Sequence, residues 1–68
     1  MTYLVILEQG ENSFSAYLPD LPGCVAAADT REETLQLMRG AIRMHLEGMR
    51  EDGVSIPKPT SSAEYVAV

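Results

Sequence analysis

The sequence predicts a small α+β domain with the element order β-β-β-α-β, occupying residues 1–68 as one unit. Three observations point there. Residues 2–28 alternate apolar runs with turn residues. A long stretch then repeats its apolar positions at helical spacing. Beyond a proline-stiffened loop, the chain reaches a short segment of strand-forming residues.

The first strand is expected over Thr2–Glu8, TYLVILE, rich in β-branched and aromatic side chains. The Gly and Asn of QGEN, residues 9–12, suit a hairpin turn. Ser13–Leu18 alternates, with Phe14, Ala16 and Leu18 on one side and Ser13, Ser15 and Tyr17 on the other. PDLPGC, residues 19–24, then holds two prolines, a glycine, an aspartate and the chain's single cysteine. It is expected to be a rigid turn. Asp20 and Gly23 form it, Pro19 and Pro22 stiffen it, and Cys24 opens a third strand that runs to Ala28. That strand is weak, because alanine is a poor strand former.

The helix is the clearest element. Thr30 and Glu33 predict a capping box, in which each side chain bonds the other's backbone N–H, and Gly53 marks the stop. Leu35, Met38, Ile42, Leu46 and Met49 share one stripe, and Gln36, Arg39, Arg43, Glu47 and Arg50 form the solvated face. Leu37, Ala41 and Met44 make a second apolar strip, with Gly48 on the same side. Gly40 and Gly48 each cost about 1 kcal/mol relative to alanine inside a helix. The place of Gly48 on an apolar strip suits close approach of another backbone. Ile56–Thr60, IPKPT, is a stiff loop, and Glu64–Val68, EYVAV, is expected to be the last strand.

Nearly half the residues are hydrophobic, 46%, which marks a folded chain. Sixty-eight residues can build only a thin core. The first strand is apolar on both faces, Leu4 and Ile6 on one and Tyr3, Val5 and Leu7 on the other. A single helix covers one sheet face, so the second face calls for cover from another chain. A homodimer or homotetramer is expected. Tyr3, Val5 and Tyr17 on the uncovered sheet face, with Leu37 and Met44 on the helix, are the candidate self-contacts.

Ten acidic residues against five basic ones give a net charge of −5, an unsuitable balance for gripping phosphate and a suitable one for a basic protein partner. No nucleic-acid binding is expected of these residues. The longest apolar run, Tyr3–Leu7, is strand-length, and nothing resembles a leader or a membrane span. With one cysteine and no internal disulfide, the expected compartment is the cytoplasm.

Cys24 and His45 are the nearest approach to a nucleophile and base. No third group or oxyanion motif accompanies them, so they read as a small buried thiol and a partly covered histidine. Asp20, Asp29, Glu32 and Glu33 have no metal-ligand spacing. They read as a turn residue and as negative charge around a helix N-terminus. No catalytic residue, metal or cofactor is expected.

Taken together, FSAYLPDLPGC, ADTREETLQLMRGAI and GVSIPKPT followed by a last apolar strand resemble the HicB family of antitoxins over nearly the whole chain. AADT stands where that family often has a glycine before the aspartate, and EETL where EEAL is common. The resemblance implies a partial ribonuclease-H-like fold: a three-stranded antiparallel meander, a helix on one face, and a further strand beside the first. Fold alone carries no nuclease activity. The carboxylate such a site needs in mid-strand is replaced here by Leu4–Leu7. The resemblance further implies a non-enzymatic antitoxin that neutralises a small, basic, mRNA-cleaving toxin of the HicA type by direct contact. Asp20, Glu32, Glu33 and Glu47 are the candidate acidic contacts. Ending at Val68, the sequence reads as a short, stand-alone member without the DNA-binding domain of longer relatives. The alternative is an orphan homo-oligomer with a structural or small-ligand role and no toxin.

Overall fold

A computed structural model describes residues 1–68. Its elements are β1 (Ile6–Gln9), β2 (Phe14–Tyr17), β3 (Val25–Ala28) and α1 (Arg31–Glu51). The strands form one antiparallel sheet in the order β1-β2-β3, and α1 lies across one face of it, over β2 and β3.

Pairing register sorts the side chains. Leu7 stands opposite Ala16 and Ala16 opposite Ala26, and this row faces the helix. Ile6, Tyr17 and Val25 form the neighbouring row, which faces away. The buried core is Ala16, Leu18, Leu21, Cys24 and Met38. Small residues at 16 and 26 let α1 come close, and Met38 fills the space above them. Thr34, one turn earlier, is fully buried at the same contact. Its hydroxyl donates to the Thr30 carbonyl at 2.7 Å and lies 3.4 Å from that of Phe14, so no buried polar side-chain atom is left without a partner.

Thr30 caps the helix, its Oγ1 accepting the Glu33 N–H at 3.1 Å. The Glu33 carboxylate accepts from that same hydroxyl at 3.0 Å, so the box closes side chain to side chain and not onto the Thr30 backbone as expected. At the other end Asp52 is the C-cap and Gly53 takes φ +69°, the left-handed conformation that releases the chain. Apart from the helix's own backbone and the adjoining residues, nothing lies within 4 Å of where a Cβ would stand at Gly40 or Gly48, so no other segment of this chain approaches Gly48.

Three expectations are corrected. β1 begins at Ile6 and not at Thr2, because β2 leaves the ladder after Tyr17; the register would put Leu4 opposite Pro19, which has no N–H to donate. Tyr3 and Val5 lie on the covered face, packed against the core with Leu7, while Tyr17 is on the open one. Alternation fixes which residues share a face, but only register decides which face turns inward. Lastly, Glu64–Val68 forms no strand beside β1, and Tyr65 and Val68 are fully exposed. Apolar, β-branched composition supplies a preference for extension, whereas a strand exists only once an edge pairs with it.

The resulting shape is thin and open. Its extents are 41 × 29 × 16 Å and its radius of gyration is 13.3 Å, against about 11 Å for a compact chain of this length.

Candidate functional site

The PDLPGC loop is a packed unit. Leu21 N–H donates to the Leu18 carbonyl, Cys24 N–H to that of Leu21, and Leu18 N–H to that of Cys24, at 3.2–3.3 Å. These bonds turn the chain twice and drive Leu18, Leu21 and Cys24 into the core. Gly23 sits at φ +88°, where a side chain would be strained. Pro19 and Pro22 remain on the exterior.

Asp20 points from this loop to the far end of the chain. Its carboxylate accepts four hydrogen bonds: from Thr60 Oγ1 at 3.1 Å, Thr60 N at 3.2 Å, Ser61 Oγ at 2.8 Å and Ser61 N at 3.2 Å. Led by the Ser61 hydroxyl, these donors hold the carboxyl below its usual range. The Tyr3 hydroxyl donates to the Pro57 carbonyl close by. Two contacts thus fix the course of the tail across the end of the sheet.

The acidic residues singled out from the sequence do not converge. Asp20 binds the tail, Glu33 closes the helix cap, and Glu32 is exposed in the first helical turn. Glu47 is exposed near the other end of α1, roughly 22 Å from Glu32 at 1.5 Å rise per residue.

Apolar surface is more continuous. Ile6, Tyr17 and Val25 lie on the sheet face turned away from the helix, with Tyr17 and Val25 exposed, Val25 by 65%. Around the β3 edge, Val25, Ala41, Met44 and His45 border one shallow depression, and Met44 is 74% exposed. On the opposite side a groove of about 350 Å³ separates Tyr3 and Val5 from Leu35, Met38 and Ile42 of α1. Leu37 is exposed on the remaining helix surface.

Cys24 and His45 border the same depression, yet the thiol is buried. Burial pushes its pKa up, away from the thiolate that nucleophilic chemistry needs. No group of three or more His, Cys, Asp or Glu side chains stands close enough to hold a metal ion. No helix is long and apolar enough to cross a membrane. Leu21, Thr34 and the Asp20 clamp escaped the sequence reading. Two of them act through contacts far along the chain, and a leucine between two prolines has no periodicity to betray it.

Fold and surface together define a small α+β module whose outstanding property is apolar surface left open around a thin core. The chain belongs to the HicB-like antitoxin family: residues 3–68 match the family described as "HicB_like antitoxin of bacterial toxin-antitoxin system". It is 35% identical over 97% of its length to an uncharacterized 14.9 kDa protein of Haemophilus phage HP1. It is 33% identical over 94% of its length to a protein named Antitoxin HicB 2 from Photorhabdus laumondii. It spans about half of each, 50% and 46%. A UPF0150 protein of Thermoplasma acidophilum is 32% identical and is covered over 97% of its length, by all of this chain. No solved structure gives a significant match.

Proposed function

We propose that the chain is a cytoplasmic, antitoxin-like binding protein that neutralises a small basic toxin of the HicA type, an mRNA-cleaving ribonuclease, by covering it. The observation that carries this reading is the family match over residues 3–68, supported by the Photorhabdus relative named as an antitoxin. The net charge of −5 suits a basic partner. With Asp20 and Glu33 engaged in internal hydrogen bonds, Glu32 and Glu47 are the acidic side chains best placed to meet one. The protein does this as a homo-oligomer. In support, its accessible surface of 5352 Å² exceeds by on the order of 1,100 Å² what a compact monomer of its mass exposes.

The test is affinity capture of the tagged chain from its own cell extract at low and high salt, followed by an RNA-cleavage assay on whatever is captured. The reading expects a small basic protein that high salt releases and whose mRNA cleavage stops when the chain is added back. A captured protein without ribonuclease activity, or one whose cleavage the chain leaves untouched, refutes it. A second reading, a homo-oligomer with a structural or small-ligand role and no toxin, is favoured by the exposed Tyr17, Val25 and Met44, apolar surface that a second copy alone could cover. Recovery of the chain alone supports that reading.

A further inference from the structure

β3 is an outer strand of the sheet, paired on one side only. Leu18 N–H donates to the Cys24 carbonyl, so alternation along the ladder turns the backbone groups of Ala26 and Ala28 toward β2. Those of Val25 and Ala27 point to the free edge. Val25–Ala28 holds none of the lysines or prolines that keep exposed edges from pairing, and Val25 is 65% exposed.

The helix beside this edge is equally unpartnered. Leu37, Ala41, Met44 and Gly48 recur at intervals of four, three and four residues, the spacing of a helix–helix seam. Leu37 is 54% and Met44 74% exposed, and no other segment stands over Gly48. Ala41 and Met44 border the depression that Gly23 and Val25 also line, so the seam runs alongside the β3 edge.

This seam is complementary to itself. In an antiparallel pair centred between Ile42 and Arg43, Leu37 stands opposite Gly48 and Met44 opposite Ala41. Each large side chain then meets a small one, which is what close packing of two helices requires. A parallel pair would set Leu37 against Leu37 and leave a gap at Gly48.

We infer that two copies of this chain join through their β3 edges about a two-fold axis near Val25, which brings the two α1 helices together along this seam. Such an axis makes strands and helices antiparallel at once and closes the assembly. The spacing agrees. Strands lie about 4.8 Å apart, so a helix seated over β2 and β3 comes roughly 10 Å from its mate, within the range of packed helices. On the open sheet face the row of Tyr17 and Val25 continues across the axis into its copy and covers Val25. A surface excess on the order of 1,100 Å² per chain is enough for the roughly 800 Å² per partner of a stable interface. The inference rests on the homo-oligomer proposed above, names its surface and needs no toxin.

The test compares the full chain with Met44→Glu by light scattering, with circular dichroism to check the helix, and adds NMR on a mixture of differently labelled copies. Glutamate suits a helix and, at an exposed position, leaves the core untouched, but it puts a charge into the seam. The expected mass is twice 7.4 kDa for the unmodified chain and 7.4 kDa for Met44→Glu, with unchanged helix content. In the mixture, NOEs should join Met44 of one copy to Ala41 of the other, and Leu37 to Gly48. An oligomer whose mass Met44→Glu leaves unchanged overturns this surface while leaving self-association through another one intact. A monomeric unmodified chain overturns both. Inter-copy NOEs that avoid α1 and β3 also overturn the inference. Should Met44→Glu lose its helix, the inter-copy NOEs alone decide.

Discussion

Asp20 in the β2–β3 loop accepts hydrogen bonds from both the hydroxyl and the backbone N–H of Ser61, at 2.8 and 3.2 Å, across 41 positions of sequence. Together with Thr60, this contact ties the tail to the sheet. Its pH dependence follows from the direction of the shift. The carboxyl is held below its ordinary value of 3.8, so the contribution of the clamp is complete above that value. It is lost as pH falls through the lowered folded-state value. The Thr60 and Ser61 amide resonances should therefore stay constant from neutral pH into the ordinary carboxylate range and move only below it. In Asp20→Asn they should shift at neutral pH and lose that acid transition. Amides indifferent to the substitution would rule out the clamp in solution.

Thr34 should respond to size more than to polarity. Its hydroxyl serves the Thr30 carbonyl, which already accepts the Thr34 N–H at 3.0 Å. Thr34→Val thus removes one hydrogen bond of nearly neutral consequence for its acceptor, at a cost of about 1 kcal/mol. Thr34→Leu must push α1 off β2 and should cost about 1–3 kcal/mol. Urea unfolding of both variants checks the order, and equal losses would contradict the packing described.

Gly40 and Gly48 have open space around them. Alanine at either should raise helix stability by about 0.5–1 kcal/mol. Concentration separates the two. The gain at Gly40 should be the same at every protein concentration, whereas a gain at Gly48 that shrinks as concentration rises would place a second chain against that turn. Thermal unfolding across a dilution series measures both.

Cys24 is buried, and desolvation raises its pKa. The folded state then disfavours the thiolate, so stability should decline as pH climbs above the ordinary thiol value of 9.0. Iodoacetamide should modify the native protein far more slowly than the urea-unfolded chain. Cys24→Ala should cost about 1 kcal/mol while leaving self-association unchanged. Rapid alkylation of the native protein would revive a chemical role for this residue.

Much of the architecture was legible because it is local. Alternation at Ser13–Leu18 gave β2, the 3.6-residue spacing of Leu35, Met38 and Ile42 gave α1, and Thr30 with Glu33 gave its start. The open apolar surface was legible as an excess of apolar positions, but its membership was not. Tyr3 and Val5 share a face with Leu7, and only the pairing of Leu7 with Ala16 shows that this face is the covered one.

By itself, then, the sequence determined the helix and its cap, the two hairpin strands, the stiff loop and the negative charge, all set by neighbours a few residues apart. Tertiary structure alone decided the burial of Leu21 and Thr34, the capture of Thr60 and Ser61 by Asp20, and the absence of a strand at Glu64–Val68. Each of these depends on which distant groups meet. Periodicity along a chain records which side chains share a face, but it holds no record of the surface that face will find.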